Sequence, residues 1–236
     1  MITIFAPNVP EFALVFLGVL QVGAIVSGAN PHFTTEELTN QLKEVNAKCI
    51  VAGHQLAHRA KEAAQELGID YVFVIGEDDE CESVSVLLKE DESQFPRVTL
   101  NPKEEVAILP FSTGTGGLPK GVILTHHNLI ALGCIVNAEG VFNFNENSKI
   151  LATVPFNRAF GMIAVLSLSL HRGSTLISVP RFDQNKLLHL LQDYKVSQFM
   201  INLSKHVSNA IDKRLTQADL LIQVRLVRKR LIERLV

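Results

Sequence analysis

Residues 112–121 read STGTGGLPKG. Three hydroxyl side chains (Ser112, Thr113 and Thr115) are interleaved with Gly114, Gly116 and Gly117 just ahead of Lys120. Glycines let the backbone turn sharply and bring several N–H groups onto one anion. The hydroxyls add donors and Lys120 adds a point charge, while Pro119 stiffens the approach. An apolar run, 106–111, precedes the loop and a helical pattern follows it. A loop in that setting suits a polyphosphate. Two phosphate patterns do not fit. The P-loop form G-x-x-x-x-G-K-[ST] fails because the lysine here precedes a glycine. The dinucleotide form G-x-G-x-x-G fails because its third glycine would fall on Pro119.

The other groups able to do chemistry are weaker candidates. His126 and His127 are adjacent, and neighbours on a helix point apart, so they do not share an ion. His54 and His58 have the right spacing but lack a third ligand. Both pairs are expected to be surface residues, and no metal ligands are assigned. Cys49, Cys81 and Cys134 fit neither a zinc spacing nor a disulfide framework, which points to free thiols.

Positioning the loop falls to elements that alternate along the chain. Strands are expected at 2–5, 49–52, 71–75, 106–111, 150–154, 175–179 and 198–201, all short and rich in Ile, Val and Phe. Thr34 and Glu37 form a capping box ahead of TEELTNQLKEV. A helical pattern over 54–67 closes at Gly68. Thr125 is expected to cap HHNLIALGCIVNAE, and Asp183 to cap QNKLLHLLQDY. Alternating strands and helices imply a layered α/β fold with mainly parallel sheets covered on both faces. Residues 77–105 are acidic and read as a solvated connection. The apolar stretch 12–29 is interrupted by Gly18, Gln21, Gly23, Ser27 and Gly28, so it is expected to be a buried helix running into a strand rather than a membrane span.

The chain has 236 residues, 47% hydrophobic and 19% charged, with a formal net charge of −2. It is long enough for a sizeable core, and it shows no basic field that would suit nucleic acid. No basic n-region or cleavage site follows Met1, and the final ERLV is no peroxisomal address. The expected location is the cytoplasm, or the peroxisome if the native terminus differs. From Asp212 onward, seven Lys or Arg residues accompany three acids. Leu220, Val224, Val227, Leu231 and Leu235 form a stripe at helical spacing. Residues 212–236 are therefore set apart as a basic amphipathic helical tail, which could touch an acidic partner or a membrane surface, or pack on the domain itself.

The segment LPFSTGTGGLPKGVILTHHNLIA closely resembles the signature of adenylate-forming (AMP-binding) ligases, the family of acyl-CoA synthetases, 4-coumarate–CoA ligases and luciferases. Its usual form is S-[ST]-G-T-T-G-x-P-K-G-V-x-L-T-H-x-N. IFAPNVPEFALVFLGVLQVGAIVSGANPHFTTEELTNQLKEVNAKCIV is similar to the family's N-terminal region, and ILATVPFNRAFGM to its P-[LF]-x-H-x-[YF]-G segment. The resemblance implies that residues 1–211 are part of the family's large N-terminal domain. It implies ATP, magnesium and coenzyme A as reactants, and a carboxylic acid converted to an acyl-adenylate and then to a thioester. It places Ser112, Thr113, Gly114, Thr115, Gly116, Gly117 and Lys120 around the β- and γ-phosphates, with Lys120 as the catalytic cation. Arg158, Phe160 and Gly161 then fall beside the acid.

Three departures bear on activity. Gly116 stands where the family usually has a second Thr or Ser, and Arg158 where it has histidine. The Y-G-x-T-E adenine segment and the C-terminal domain with its catalytic lysine do not occur in this sequence. The chain is thus expected to be a truncated form, inactive alone. The alternative is a non-catalytic module that binds nucleotide or a partner.

Overall fold

The computed structural model describes residues 1–89, 93, 96–112, 119–138, 144–183 and 185–200. The chain opens with strand β1 (Ile2–Phe5), helix α1 (Pro10–Gln21), β2 (Val26–Gly28) and α2 (Thr35–Glu44). Then come β3 (Cys49–Gly53), a 3₁₀ turn at His54–Leu56, α3 (Ala57–Leu67) and β4 (Tyr71–Ile75). The stretch 12–29 is indeed a helix running into a strand. Pro10 sits in the first turn of α1, where its missing N–H costs nothing. Thr34 caps α2 in a full capping box with Glu37. Gly68 ends α3 in the left-handed region at φ 66°, a conformation that glycine adopts without strain.

The acidic connection carries more structure than its composition suggests. It holds a two-residue strand, β5 (Glu82–Ser83), and a short helix, α4 (Val84–Leu87), anchored by buried Val84. Lys61 bridges Asp78 and Glu80 beside it, at 3.5 and 2.7 Å. After it come β6 (Val106–Ile108), β7 (Phe111–Ser112), β8 (Lys120–Gly121), β9 (Leu124–Thr125) and α5 (His126–Ala138). The expected single strand over 106–111 is therefore two. Pro110 offers no N–H to a ladder, so pairing stops at Ile108 and resumes in a separate hairpin.

The last part comprises β10 (Lys149–Ala152), a π-helical run at Gly161–Ser167 continuing into α6 (Leu168–His171), β11 (Thr175–Ser178), α7 (Leu187–Asp193) and β12 (Gln198–Met200). Asp183 does not cap α7 directly. Its carboxylate accepts from the Asn185 amide at 2.9 Å, and the helix starts four residues later with Lys186 at its N-cap. The tail at 212–236 lies outside the described residues.

One sheet has seven strands in the order β5-β4-β3-β1-β2-β6-β9, parallel except for the β6–β9 pair. A second has three parallel strands, β11-β10-β12. Side chains alternate across the strands. On the large sheet Ile4 and Val51 face one core, and Phe5, Ile50 and Ala52 face another, built with α2 and α3. The first core continues through α1 to Ile150, Ala152 and Met162 on the far side, so both sheets share it. Leu151 faces outward onto Leu187 and Leu191 of α7. Helix, sheet, helix, sheet and helix thus stack in layers, as expected for buried parallel strands.

Candidate functional site

β7 and β8 form a small antiparallel hairpin in which Ser112 pairs with Lys120 and Phe111 with Gly121. The backbone ladder brings the two ends of the glycine-rich segment together, and both Ser112 and Lys120 are exposed. Thr113, Gly114, Thr115, Gly116 and Gly117 lie outside the described residues. The Val122 amide donates to the Pro110 carbonyl at 2.9 Å and extends the hairpin by one rung. Downstream, Thr125 caps α5. Its hydroxyl accepts the Asn128 amide at 3.3 Å, while the Thr125 amide donates to Asn128 Oδ1 at 2.9 Å. The expected strand–loop–helix context is present.

The second segment, 155–161, follows β10. Arg158 is exposed, and its carbonyl accepts the Met162 amide at 2.8 Å, opening the π-helical run. No hydrogen bond or ion pair holds its guanidinium among the described residues. Phe160 is partly exposed and Gly161 is buried. A Cβ at Gly161 would stand 1.9 Å from the Pro155 carbonyl oxygen, so the turn closes only on glycine.

Residues not singled out from the sequence position these two segments. Asn8 is 5% exposed and sits just beyond β1. Its amide nitrogen donates to the carbonyls of Ala152 at 3.0 Å and Val154 at 2.8 Å, and its oxygen accepts the Phe156 amide at 2.7 Å. Phe156 packs on Phe12 of α1 with ring centroids 5.6 Å apart. Strand β2 touches both segments. Ser27 donates its hydroxyl to the Leu109 carbonyl at 3.2 Å, just before the hairpin. Next to it, a Cβ on Gly28 would meet Asn157 Cα at 2.7 Å. Gln41 secures β2 from behind, donating to Ser27 Oγ and to the Gly28 carbonyl, each at 3.2 Å. The sequence signal was the polar Ser27 and small Gly28 inside an apolar run, and a lone Asn8 between strand and helix. Neither points to its partner, because the partners are far away in sequence.

The histidine expectation needs one correction. His58 is exposed and lies beside Glu62 at 3.4 Å, but His126 is only half-exposed and its Nε2 is buried. His126 opens α5 where the helix meets β6 and β9, with its amide donated to the Glu105 carbonyl at 3.2 Å, and this tertiary seat, which no local pattern encodes, separates it from exposed His127. Among the described residues no group of three His, Cys, Asp or Glu stands together as a metal site, and no helix is long and apolar enough to cross a membrane.

The hairpin residues fit a polyphosphate: an exposed ammonium with no ion-pair partner among the described residues, and an exposed hydroxyl, at the two ends of one glycine-rich segment. Among the described residues no acidic cluster stands ready to hold a magnesium ion, so one would arrive with the phosphates themselves.

The family model for AMP-binding enzymes matches residues 1–202. The chain is 34% identical to 4-coumarate–CoA ligase 1 of Petroselinum crispum over 198 residues, 83% of this chain and 36% of the relative. Its fold matches a long-chain-fatty-acid-CoA ligase from Archaeoglobus fulgidus with a TM-score of 0.79, at 25% identity over 92% of this chain and 42% of that one. It also matches ATP-bound MatB from Rhodopseudomonas palustris, with a TM-score of 0.72 at 18% identity over 84% of this chain and 38% of that one. The chain spans little more than a third of the length of the curated relatives it matches. By the family model matched over residues 1–202, its identity with these ligases and the shared fold, the chain belongs to the AMP-binding, adenylate-forming enzyme family.

Proposed function

We propose that this chain carries the phosphate-binding half of an ATP-dependent acid–thiol ligase. In the complete reaction a carboxylic acid attacks the α-phosphate of ATP, pyrophosphate leaves, and the acyl group passes from the adenylate to coenzyme A. The observation that carries this reading is the Ser112–Lys120 rung, which presents a cation and a hydroxyl at the mouth of the glycine-rich turn. Preorganised donors of this kind stabilise the charge that develops on a leaving pyrophosphate. Ser112, Thr113, Thr115 and Lys120 hold that end. Arg158, Phe160 and Gly161 stand on the acid side, where the guanidinium meets the carboxylate. The acid-binding and coenzyme A steps rest on family membership and on the names of the relatives.

The chain alone is proposed to bind nucleotide without forming adenylate, because it has no Y-G-x-T-E segment to hold the adenine. Titration of the chain with magnesium ATP, followed by competition, tests this. Pyrophosphate is expected to displace ATP, and AMP to compete poorly. Displacement by AMP as effective as by pyrophosphate would mean that the base anchors the nucleotide, and the phosphate-hairpin reading would fall. Carboxylate-dependent exchange of labelled pyrophosphate into ATP by the purified chain would overturn its inactivity in isolation.

A further inference from the structure

The segment that carries the phosphate hairpin leaves the large sheet between two ladders. Strand β6 ends at Ile108 and β7 begins at Phe111, so Leu109 and Pro110 belong to neither. Strand β2 holds this joint from the side. The Leu109 amide donates to the Val26 carbonyl at 2.8 Å, and the Leu109 carbonyl accepts the Ser27 hydroxyl at 3.2 Å. The Leu109 side chain then reaches the hairpin itself: a Cβ on Gly121, the residue after Lys120, would collide with Leu109 Cδ2. Leu109 and Phe111 both pack on the core built with α2 and α3.

Ser27 is fully buried, and a second buried side chain, Gln41 of α2, sets its orientation. Gln41 Nε2 lies 3.2 Å from the Gly28 carbonyl and 3.2 Å from Ser27 Oγ. A carbonyl only accepts, which puts the amide nitrogen of Gln41, and not its oxygen, on this side. That nitrogen gives its other proton to Ser27 Oγ, and the Ser27 proton is left for the Leu109 carbonyl. The bonds therefore run one way, from Gln41 to Ser27 to Leu109, and bonds chained like this strengthen one another away from water. The base of the relay is fixed, because α2 has a full capping box and buries Leu38 and Leu42 beside Gln41. A buried amide is costly unless it is bonded. Here its bonds go to the strand that feeds the hairpin rather than to its own helix.

We propose that Gln41 is a positioning residue for the phosphate hairpin: its amide, through Ser27 and Leu109, sets where Ser112 and Lys120 stand when they meet a polyphosphate. The proposal rests on the reading of that hairpin as a polyphosphate site. Gln41 stands behind β2 and acts only through it.

The test is calorimetric titration of the full chain with magnesium pyrophosphate, paired with hydrogen exchange of the Val122 amide, which belongs to the hairpin. Gln41→Met keeps an unbranched side chain and removes both donors. Ser27→Ala cuts the same relay at its next link, and serves if Gln41→Met folds poorly. Each is expected to weaken pyrophosphate binding by about two- to tenfold, the worth of one hydrogen bond. The double variant is expected to bind no more weakly than Gln41→Met alone, because both changes break one relay. The Val122 amide should exchange faster in each variant while the β3 amides keep their rates. Gly68→Ala, which strains the end of α3 and lies outside the relay, controls for general loosening and should leave the affinity unchanged. Unchanged affinity in both single variants, losses that add in the double variant, or an equal loss in Gly68→Ala would overturn the proposal. If the parent chain binds no pyrophosphate, the polyphosphate reading falls instead. Exchange at Val122 then decides the positioning alone, and an unchanged rate in both variants would overturn it.

Discussion

The side-chain oxygen of Asn8 accepts the Phe156 amide at 2.7 Å, joining residues 148 positions apart. The same carboxamide donates to the Ala152 and Val154 carbonyls, so one side chain fixes the backbone between β10 and Arg158. Asn8→Ala leaves one buried N–H and two buried carbonyls without partners. Each such group costs about 1–3 kcal/mol, and partial relaxation brings the expected loss to about 2–4 kcal/mol. Asn8→Asp keeps the shape but turns a donor into a second acceptor facing two carbonyls, and should be at least as damaging. Urea denaturation reads the loss. Faster exchange of the Phe156 amide, with the β3 amides unchanged, distinguishes loosening of this loop from general unfolding. A destabilisation below about 0.5 kcal/mol, the range of an ordinary surface change, would contradict the role given to Asn8.

Gly161 and Gly28 make a paired prediction about the same loop. A methyl at Gly161 meets the Pro155 carbonyl oxygen at 1.9 Å, and one at Gly28 meets Asn157 Cα at 2.7 Å. Both obstacles are backbone, so neither can swing aside. Alanine at either site is expected to cost about 1–3 kcal/mol or more, as overpacking does. Gly68→Ala supplies the contrast. No atom lies within 4 Å of its Cβ, but φ is +66°, so the cost is the conformational one of about 1 kcal/mol. Thermal melts of the three variants should rank Gly68→Ala as the mildest.

Much of the fold was legible because its signals are local. Strands at 2–5 and 71–75, the Thr34–Glu37 capping box and the Gly68 stop each depend on neighbours within a turn or two of chain. Elements decided at a distance were not. A strand at the end of the apolar stretch 12–29 was legible, but its limits at Val26–Gly28 were not, because they are set by its pairing with β1. β8 and β9 have two residues each and exist only through their partners. The phosphate loop was legible in residue type, and the structure adds that Ser112 and Lys120 face each other. Asn8, Ser27 and Gln41 were missed because a polar residue in a core says nothing of its partner until the strands are assembled. His126 was misjudged for a related reason: it and His127 are alike in sequence, and packing alone separates them.

The hairpin itself predicts opposite effects from two substitutions. Lys120→Met removes an exposed charge, so the melting curve should shift by no more than about 0.5 kcal/mol. ATP affinity should fall by about tenfold or more, since a hydrogen bond to a charged group is worth about 1.5–3 kcal/mol and 1.4 kcal/mol is a decade. Gly116→Thr restores the hydroxyl usual at that position in the family, and ATP affinity is expected to rise by about one to two decades by the same arithmetic. Calorimetric titration of ATP reads both. Unchanged affinity in Lys120→Met would remove this lysine from the phosphate site.

The three thiols should separate by reactivity and by pH. Burial pushes the Cys49 thiol from its ordinary 9.0 up to about 11. Cys81 is raised as well, first by burial and then by the Asp78 charge, while Cys134 is exposed. The thiolate is the reacting form, so at pH 8 iodoacetamide is expected to modify Cys134 first. Cys49 should react last, with about a hundredfold less thiolate than an ordinary cysteine. Peptide mass spectrometry over time gives the order. The same shift has a stability consequence with a definite sign. Between pH 9.0 and about 11 the unfolded chain has released the Cys49 proton and the folded chain still holds it. The folded state then binds more protons, so stability falls as pH rises through this window, and the contribution is whole only below it. The slope from this one group is at most about 1.4 kcal/mol per pH unit. Cys49→Ala removes that slope, so parent and variant should differ in the pH dependence of their urea midpoints above pH 9 and run parallel below it. Parallel midpoints over the whole range would mean that the Cys49 thiol ionises as easily in the fold as outside it.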